Sequence, residues 1–177
     1  MTLDGREAVT CACVDARTDR VPMIAGVGAV TTRAAIEKAK AAERARADAI
    51  YTVAPYFISP TPDELYRHLR TIAEATSLPV LLYNLLTRAH ISILPHTLGR
   101  LAHIESIVGI KDFSGNLSIT TGYIRHTPDD FSAINGNGAV SSCPLVPTMI
   151  AEARRGSNSY CEHRAPTGRQ HISKHGY

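Results

Sequence analysis

The chain has 177 residues, 44% hydrophobic and 20% charged, with Lys+Arg 19 against Asp+Glu 16 and a formal net charge of +3. These values exclude a disordered chain, a polybasic nucleic-acid arm or an acidic tail as the organising feature, and they suit one folded domain. No apolar run approaches the roughly 20 residues of a membrane span, and the opening Met1-Thr2-Leu3-Asp4-Gly5-Arg6-Glu7 has no apolar signal region. A cytoplasmic enzyme or binding domain with neither a membrane nor a nucleic-acid partner is therefore expected.

Asp4 to about Ala16 reads as a helix. From Val21 to about Asn135, short runs rich in Val, Ile and Leu alternate with amphipathic stretches, the pattern of repeated βα units. The strands predicted are Pro22–Val27, Ala49–Val53, Pro79–Tyr83, Ile107–Lys111 and Phe131–Asn135. Each is continuously apolar, as parallel strands buried on both faces are. Between them, Thr31 or Thr32 caps an alanine-rich helix through about Arg46. Thr61-Pro62-Asp63-Glu64 is a capping box with proline at the first helical position, followed by Leu65, Leu69, Ile72 and Ala73 on one face. Pro95 opens a shorter helix through about His103.

From Arg155 to Tyr177 the chain turns to Gly, Ser, Asn, His and Arg without a period that could bury a face. The basic charge is concentrated there: Arg154, Arg155, Arg164, Arg169 and Lys174 face Glu162 alone between Ala153 and Tyr177. Residues 1–154 are thus expected to form the folded domain and 155–177 an irregular basic tail. Cys11, Cys13, Cys143 and Cys161 have neither metal-ligand nor disulfide-framework spacing, and the histidines offer no H-E-x-x-H, so neither a metal nor a cofactor is expected.

Four features bear on chemistry. Tyr83 and Lys111 each end an apolar strand about one βα unit apart, which would present both at the carboxyl edge of a parallel sheet, where ligands bind in α/β folds. A lysine there can form a Schiff base with a ketone, and a tyrosine beside it can relay protons. On spacing alone, a solvated lysine next to a core tyrosine is the commoner arrangement. Arg88, five residues past Tyr83, could clamp a carboxylate, although exposed loop arginines are common. Gly26-Val27-Gly28 is an incomplete dinucleotide fingerprint, since Thr31 stands where its third glycine belongs, and reads as a tight βα turn.

Val21-Pro22-Met23-Ile24-Ala25-Gly26-Val27-Gly28, Pro55-Tyr56-Phe57, Leu82-Tyr83-Asn84 and Gly109-Ile110-Lys111-Asp112, in this order and with these intervals, resemble the dihydrodipicolinate synthase and N-acetylneuraminate lyase family. The resemblance runs from about Leu3 to Asn137. It implies a (β/α)8 barrel and class I aldolase chemistry on pyruvate or a related 2-keto acid, without a cofactor. It further implies that Lys111 is the Schiff-base lysine and Tyr83 the proton relay. Arg88 matches the arginine that engages the second substrate's carboxylate in some members. Gly136 and Val140, in segments resembling the ends of the seventh and eighth strands, become substrate-binding candidates, and a homo-oligomer is implied.

The departures are specific. The family's Gly-Thr-Thr-Gly-Glu motif, which holds the keto acid's carboxylate, is missing, and the chain opens at what resembles the helix after that strand. The helix between Asn137 and Gly138 is also missing. Leu86 replaces a usual proline, and His90 replaces a usual glycine, which implies a different turn. Phe57 stands where the synthases carry a relay tyrosine, which implies a second substrate other than aspartate semialdehyde. The expected architecture is therefore a partial TIM barrel of five or six βα units, with the strand Pro22–Val27 left at an edge. The expected function is a Schiff-base lyase or aldolase impaired by truncation, the alternative being a non-catalytic remnant. A phosphate-binding α/β protein using Gly26 and Gly28 is a third, more distant reading.

Overall fold

A computed structural model describes residues 1–17 and 21–136. In chain order the elements are helix α1 (Leu3–Ala16), strand β1 (Ile24–Gly26), α2 (Thr32–Arg44), β2 (Ala49–Val53), α3 (Pro62–Glu74), β3 (Val80–Asn84), α4 (Leu86–Ala89), α5 (Pro95–Leu101), β4 (Ile107–Asp112), α6 (Leu117–His126) and β5 (Ser132–Asn135). The five strands form one parallel sheet in the order β1-β2-β3-β4-β5. The βα reading is borne out, including the position of β1 at a sheet edge. Among the described residues no helix is long and apolar enough to cross a membrane.

Local chemistry accounts for the helix ends. Thr61 and Glu64 exchange the two bonds of a capping box, with Thr61 N–H donating to Glu64 Oε2 at 2.8 Å and Pro62 opening α3. Thr31 accepts the Ala34 N–H at 3.3 Å and starts α2. Helix α6 was not among the predicted elements. Its threonines and Gly122 are weak helix formers, and its start rests on Asn116 accepting the Ser118 N–H at 2.9 Å, followed by burial of Thr120 and Tyr123.

The expectation that both sheet faces are buried needs correcting. Residues on one face, including Ile50, Leu82 and Ile110 at 0% exposure, pack against Leu65, Leu69 and Ile72 of α3 and Leu98 and Leu101 of α5. On the other face Ile24 is 40%, Tyr51 39% and Ile134 48% exposed. The strands are apolar on both sides, but the buried residues of α2, α3, α5 and α6 join the core on one of them. The Gly26-Val27-Gly28 segment also differs from a simple tight turn. Neither glycine has a positive φ; a Cβ at Gly26 would lie 2.9 Å from the Tyr51 ring, and one at Gly28 would lie 2.7 Å from Val53 Cγ2. Their smallness lets β2 side chains close over β1.

His68 sits on the buried face of α3 at 8% exposure, its Nδ1 2.8 Å from Thr32 Oγ1, with no partner for Nε2 among the described residues. Burial holds its pKa below the ordinary 6.5, so the unfolded chain binds a proton that the folded chain resists. Its contribution to stability is therefore present above about pH 6.5 and is lost as the pH falls from there towards the folded-state value. Denaturant melts between pH 7.5 and 5 should show this loss, and His68→Gln should flatten it.

Candidate active site

The site is built at the carboxyl ends of β3 and β4. Val80 is in register with Ile107, but Leu81 pairs with Gly109, so β4 carries one extra residue, Val108, at a bulge. From there Tyr83 lies opposite Lys111 and Asn84 opposite Asp112. Because side chains alternate along a strand, the extra residue reverses which face each following residue takes. Lys111 thereby reaches the open face of the sheet beside Tyr83, while Ile110 and Asp112 turn to the helices. The Lys111 ammonium stands 4.8 Å from the centroid of the Tyr83 ring, a cation–π geometry. Tyr51 meets the same ring edge-on, with centroids 6.0 Å apart and planes at 70°. Sequence reasoning missed Tyr51; its signal was the alternation along β2, which places it on the face that holds Tyr83.

Behind the two strand ends lies a buried polar network. Asp112, 3% exposed, accepts from Asn84 Nδ2 at 3.0 Å, from the Ser114 N–H and hydroxyl at 3.0 Å each, and from Thr120 Oγ1 at 2.7 Å. Asn84 Oδ1 in turn accepts the Ile93 N–H at 3.0 Å, and the Tyr123 hydroxyl donates to Ile93 O at 2.5 Å. Burial, together with the neighbouring Asp112, raises the Tyr123 pKa well above that of a free phenol, so Tyr123 stays a donor. The network ties β3, β4, α6 and the segment between α4 and α5 into one unit. Tyr83 and Lys111 are each the chain neighbour of one of its anchors.

The other candidates fall as follows. Gly136 joins the site: its N–H donates to Asp112 O at 2.8 Å, and a Cβ there would lie 2.8 Å from Lys111 Cε and 2.9 Å from Phe113 Cδ2. Gly136→Ala should therefore move a flexible lysine stem at small cost in stability, under about 1 kcal/mol, while shifting the amine. Melting and amine-labelling rates measured on the same sample would show the split. Arg88 belongs to α4, and its side chain lies outside what is described, as do Val140 and the whole 155–177 tail. His90 takes the left-handed conformation, φ 57°, so the turn expected to change keeps a glycine-like geometry despite its Cβ. Phe57, also left-handed at φ 67°, is 91% exposed and meets Tyr56 edge-on, 5.4 Å between centroids. Lys111 is itself exposed, so the described residues do not enclose its amine.

Comparison with known proteins sets this geometry among relatives. The family model described as the Dihydrodipicolinate synthetase family matches residues 1–169. A 4-hydroxy-tetrahydrodipicolinate synthase of Halalkalibacterium halodurans is 40% identical over 146 residues, which is 82% of this chain and 49% of the relative. The enzyme of the same name from Syntrophus aciditrophicus is 43% identical over 124 residues, 70% of this chain and 43% of the relative. The chain thus spans about half the length of the curated relatives it matches. Among solved structures, a dihydrodipicolinate synthase of Bacillus anthracis superposes with a TM-score of 0.78 at 35% identity, over 89% of this chain and 56% of that one. One from Acinetobacter baumannii, chloride-inhibited and complexed with pyruvate, gives 0.71 at 30% identity, over 92% and 62%. The parallel five-stranded sheet is accordingly part of a TIM barrel, and with its lysine and tyrosine paired at the strand ends the chain belongs to the dihydrodipicolinate synthetase family.

Proposed function

We propose that Lys111 forms a Schiff base with pyruvate or a related 2-keto acid. The observation that carries this reading is the bulged register, which sets Lys111 and Tyr83 side by side on the open face at the carboxyl ends of their strands. The neutral amine adds to the C2 carbonyl of the keto acid, giving a carbinolamine. Loss of its hydroxyl as water, with a proton supplied through the Tyr83 hydroxyl, leaves the imine. The protonated imine then acts as electron sink for deprotonation at C3, and the enamine so formed attacks an aldehyde; no metal is required. In this reading Arg88 engages the carboxylate of the second substrate, Gly136 and Val140 line the keto-acid site, and the protein works as a homo-oligomer. The names of the relatives favour a synthase reaction, whereas Phe57, lacking a hydroxyl, favours a second substrate other than aspartate semialdehyde.

Incubation with pyruvate and borohydride, followed by peptide mass mapping, tests the reading. An adduct confined to Lys111 and absent from Lys111→Ala is the expected result. Exposure of Lys111 on an open face favours slow labelling, because the Gly-Thr-Thr-Gly-Glu motif expected to orient the keto acid is absent from this sequence. No adduct after prolonged incubation would identify the chain as a non-catalytic member of the family.

A further inference from the structure

Gly26, Tyr51, Tyr83 and Lys111 form a line across strands β1 to β4. Gly26 pairs with Tyr51 in the sheet register, and Tyr83 with Lys111. Tyr51 and Tyr83 are joined on the diagonal, because Tyr51 pairs with Leu81 and Val53 with Tyr83. Diagonal neighbours on one face of a sheet lie within reach of aromatic side chains.

Each link is a close contact. A Cβ at Gly26 would lie 2.9 Å from both Cζ and the hydroxyl oxygen of Tyr51, so the phenol end of Tyr51 fills the space that a side chain at position 26 would need. The same ring meets that of Tyr83, 6.0 Å between centroids with planes at 70°, a T-shaped arrangement that aromatic pairs favour. On Tyr83 the Lys111 ammonium stands 4.8 Å from the ring centroid. Tyr51 is exposed and lies outside the apolar cluster that the helices cover, where an aliphatic residue would suit the strand as well. What an aromatic ring adds is a wall for Tyr83. A tyrosine ring turns about its side-chain bonds, and a hydroxyl that relays protons has to return to one place.

We infer that Tyr51 is a positioning residue for the chemistry at Lys111: it holds the plane of the Tyr83 ring, and Gly26 is small so that Tyr51 can do so. The inference rests on the roles proposed for Lys111 and Tyr83. It gives Gly26 a use beyond a turn, since its backbone has no positive φ and the demand is for space alone. The ring of Tyr51 does the work and its hydroxyl does not, so phenylalanine should serve in its place.

The test uses the intact chain carrying isotope-labelled lysine, in which the Lys111 ε-methylene signal is identified by its loss in Lys111→Arg. Beside the Tyr83 ring its protons should lie upfield of those of the other lysines. Tyr51→Leu should return the signal towards theirs, and Tyr51→Phe should leave it in place. Gly26→Ala repeats the test with Tyr51 intact: it should move the signal in the native chain and move it no further in the Tyr51→Leu background. Trapping with pyruvate and borohydride is the second readout. Tyr51→Leu should lower the rate at saturating pyruvate about tenfold, part of the roughly 100-fold or more that a positioned proton donor supplies, with the half-saturating pyruvate concentration unchanged. In the Tyr83→Phe background, where no hydroxyl is left to position, it should cause no further loss, whereas a general loosening of the sheet would slow both backgrounds alike. A Lys111 signal unmoved by Tyr51→Leu would overturn the inference, as would an equal loss of rate with and without the Tyr83 hydroxyl. A native chain that forms no adduct would overturn the roles given to Lys111 and Tyr83 instead, and the Lys111 signal would still decide whether Tyr51 places the ring.

Discussion

Replacing Asp112 by alanine is expected to destabilise the chain by about 3 kcal/mol, lowering the melting temperature by roughly 10 °C. The carboxylate accepts four hydrogen bonds in a site only 3% exposed. Alanine would leave the Asn84 amide and the Thr120 hydroxyl buried without their acceptor, and each unmet donor costs about 1 to 3 kcal/mol. The effect should reach the site, since Asn84 also holds the Ile93 N–H, and loosening Asn84 frees the end of β3 that carries Tyr83. Asp112→Asn keeps the shape and one carbonyl acceptor, so it should cost about 1 kcal/mol. Urea melts of the two variants check the order. Equal stability in Asp112→Ala and the native chain would mean that α6 and the end of β4 are held by apolar packing alone.

Insertion of one alanine after Val108 is expected to cost more in function than any single substitution outside Lys111 itself. If Val80 keeps its pairing with Ile107 and one residue stays bulged, the lengthened strand would set Ile110 against Tyr83 and Lys111 against Asn84. Lys111 would then face the helices, where Leu82 and Asn84 are buried, and Asp112 would be expelled to the open face. An unpaired buried ammonium is several kcal/mol less stable than one in water, and the four bonds to Asp112 would go with it. Borohydride trapping at position 111 should fall to background, and the urea midpoint should drop by more than in Asp112→Ala. Native-like trapping in the insertion variant would show that the Asp112 network, and not the single bulge, fixes the register.

The strand order, the helix starts and the pairing of Tyr83 with Lys111 were legible in the chain because each rests on local rules. Apolar runs cut by capped helices specify parallel βα units, and Thr61 with Glu64 names a helix end by itself. Helix α6 escaped because threonine and glycine form helices poorly and its apolar face is made by burial of Thr120 and Tyr123. The roles of Asn84 and Asp112 escaped because a side chain's partners across strands are not written in its own neighbourhood. The amino-acid sequence by itself determined that this protein builds a parallel α/β sheet with a lysine and a tyrosine at neighbouring strand ends. Only the tertiary structure decided which way that lysine faces. Strand periodicity gives alternation but not its phase, and one bulged residue, Val108, set by packing against β3, reverses the phase for everything that follows.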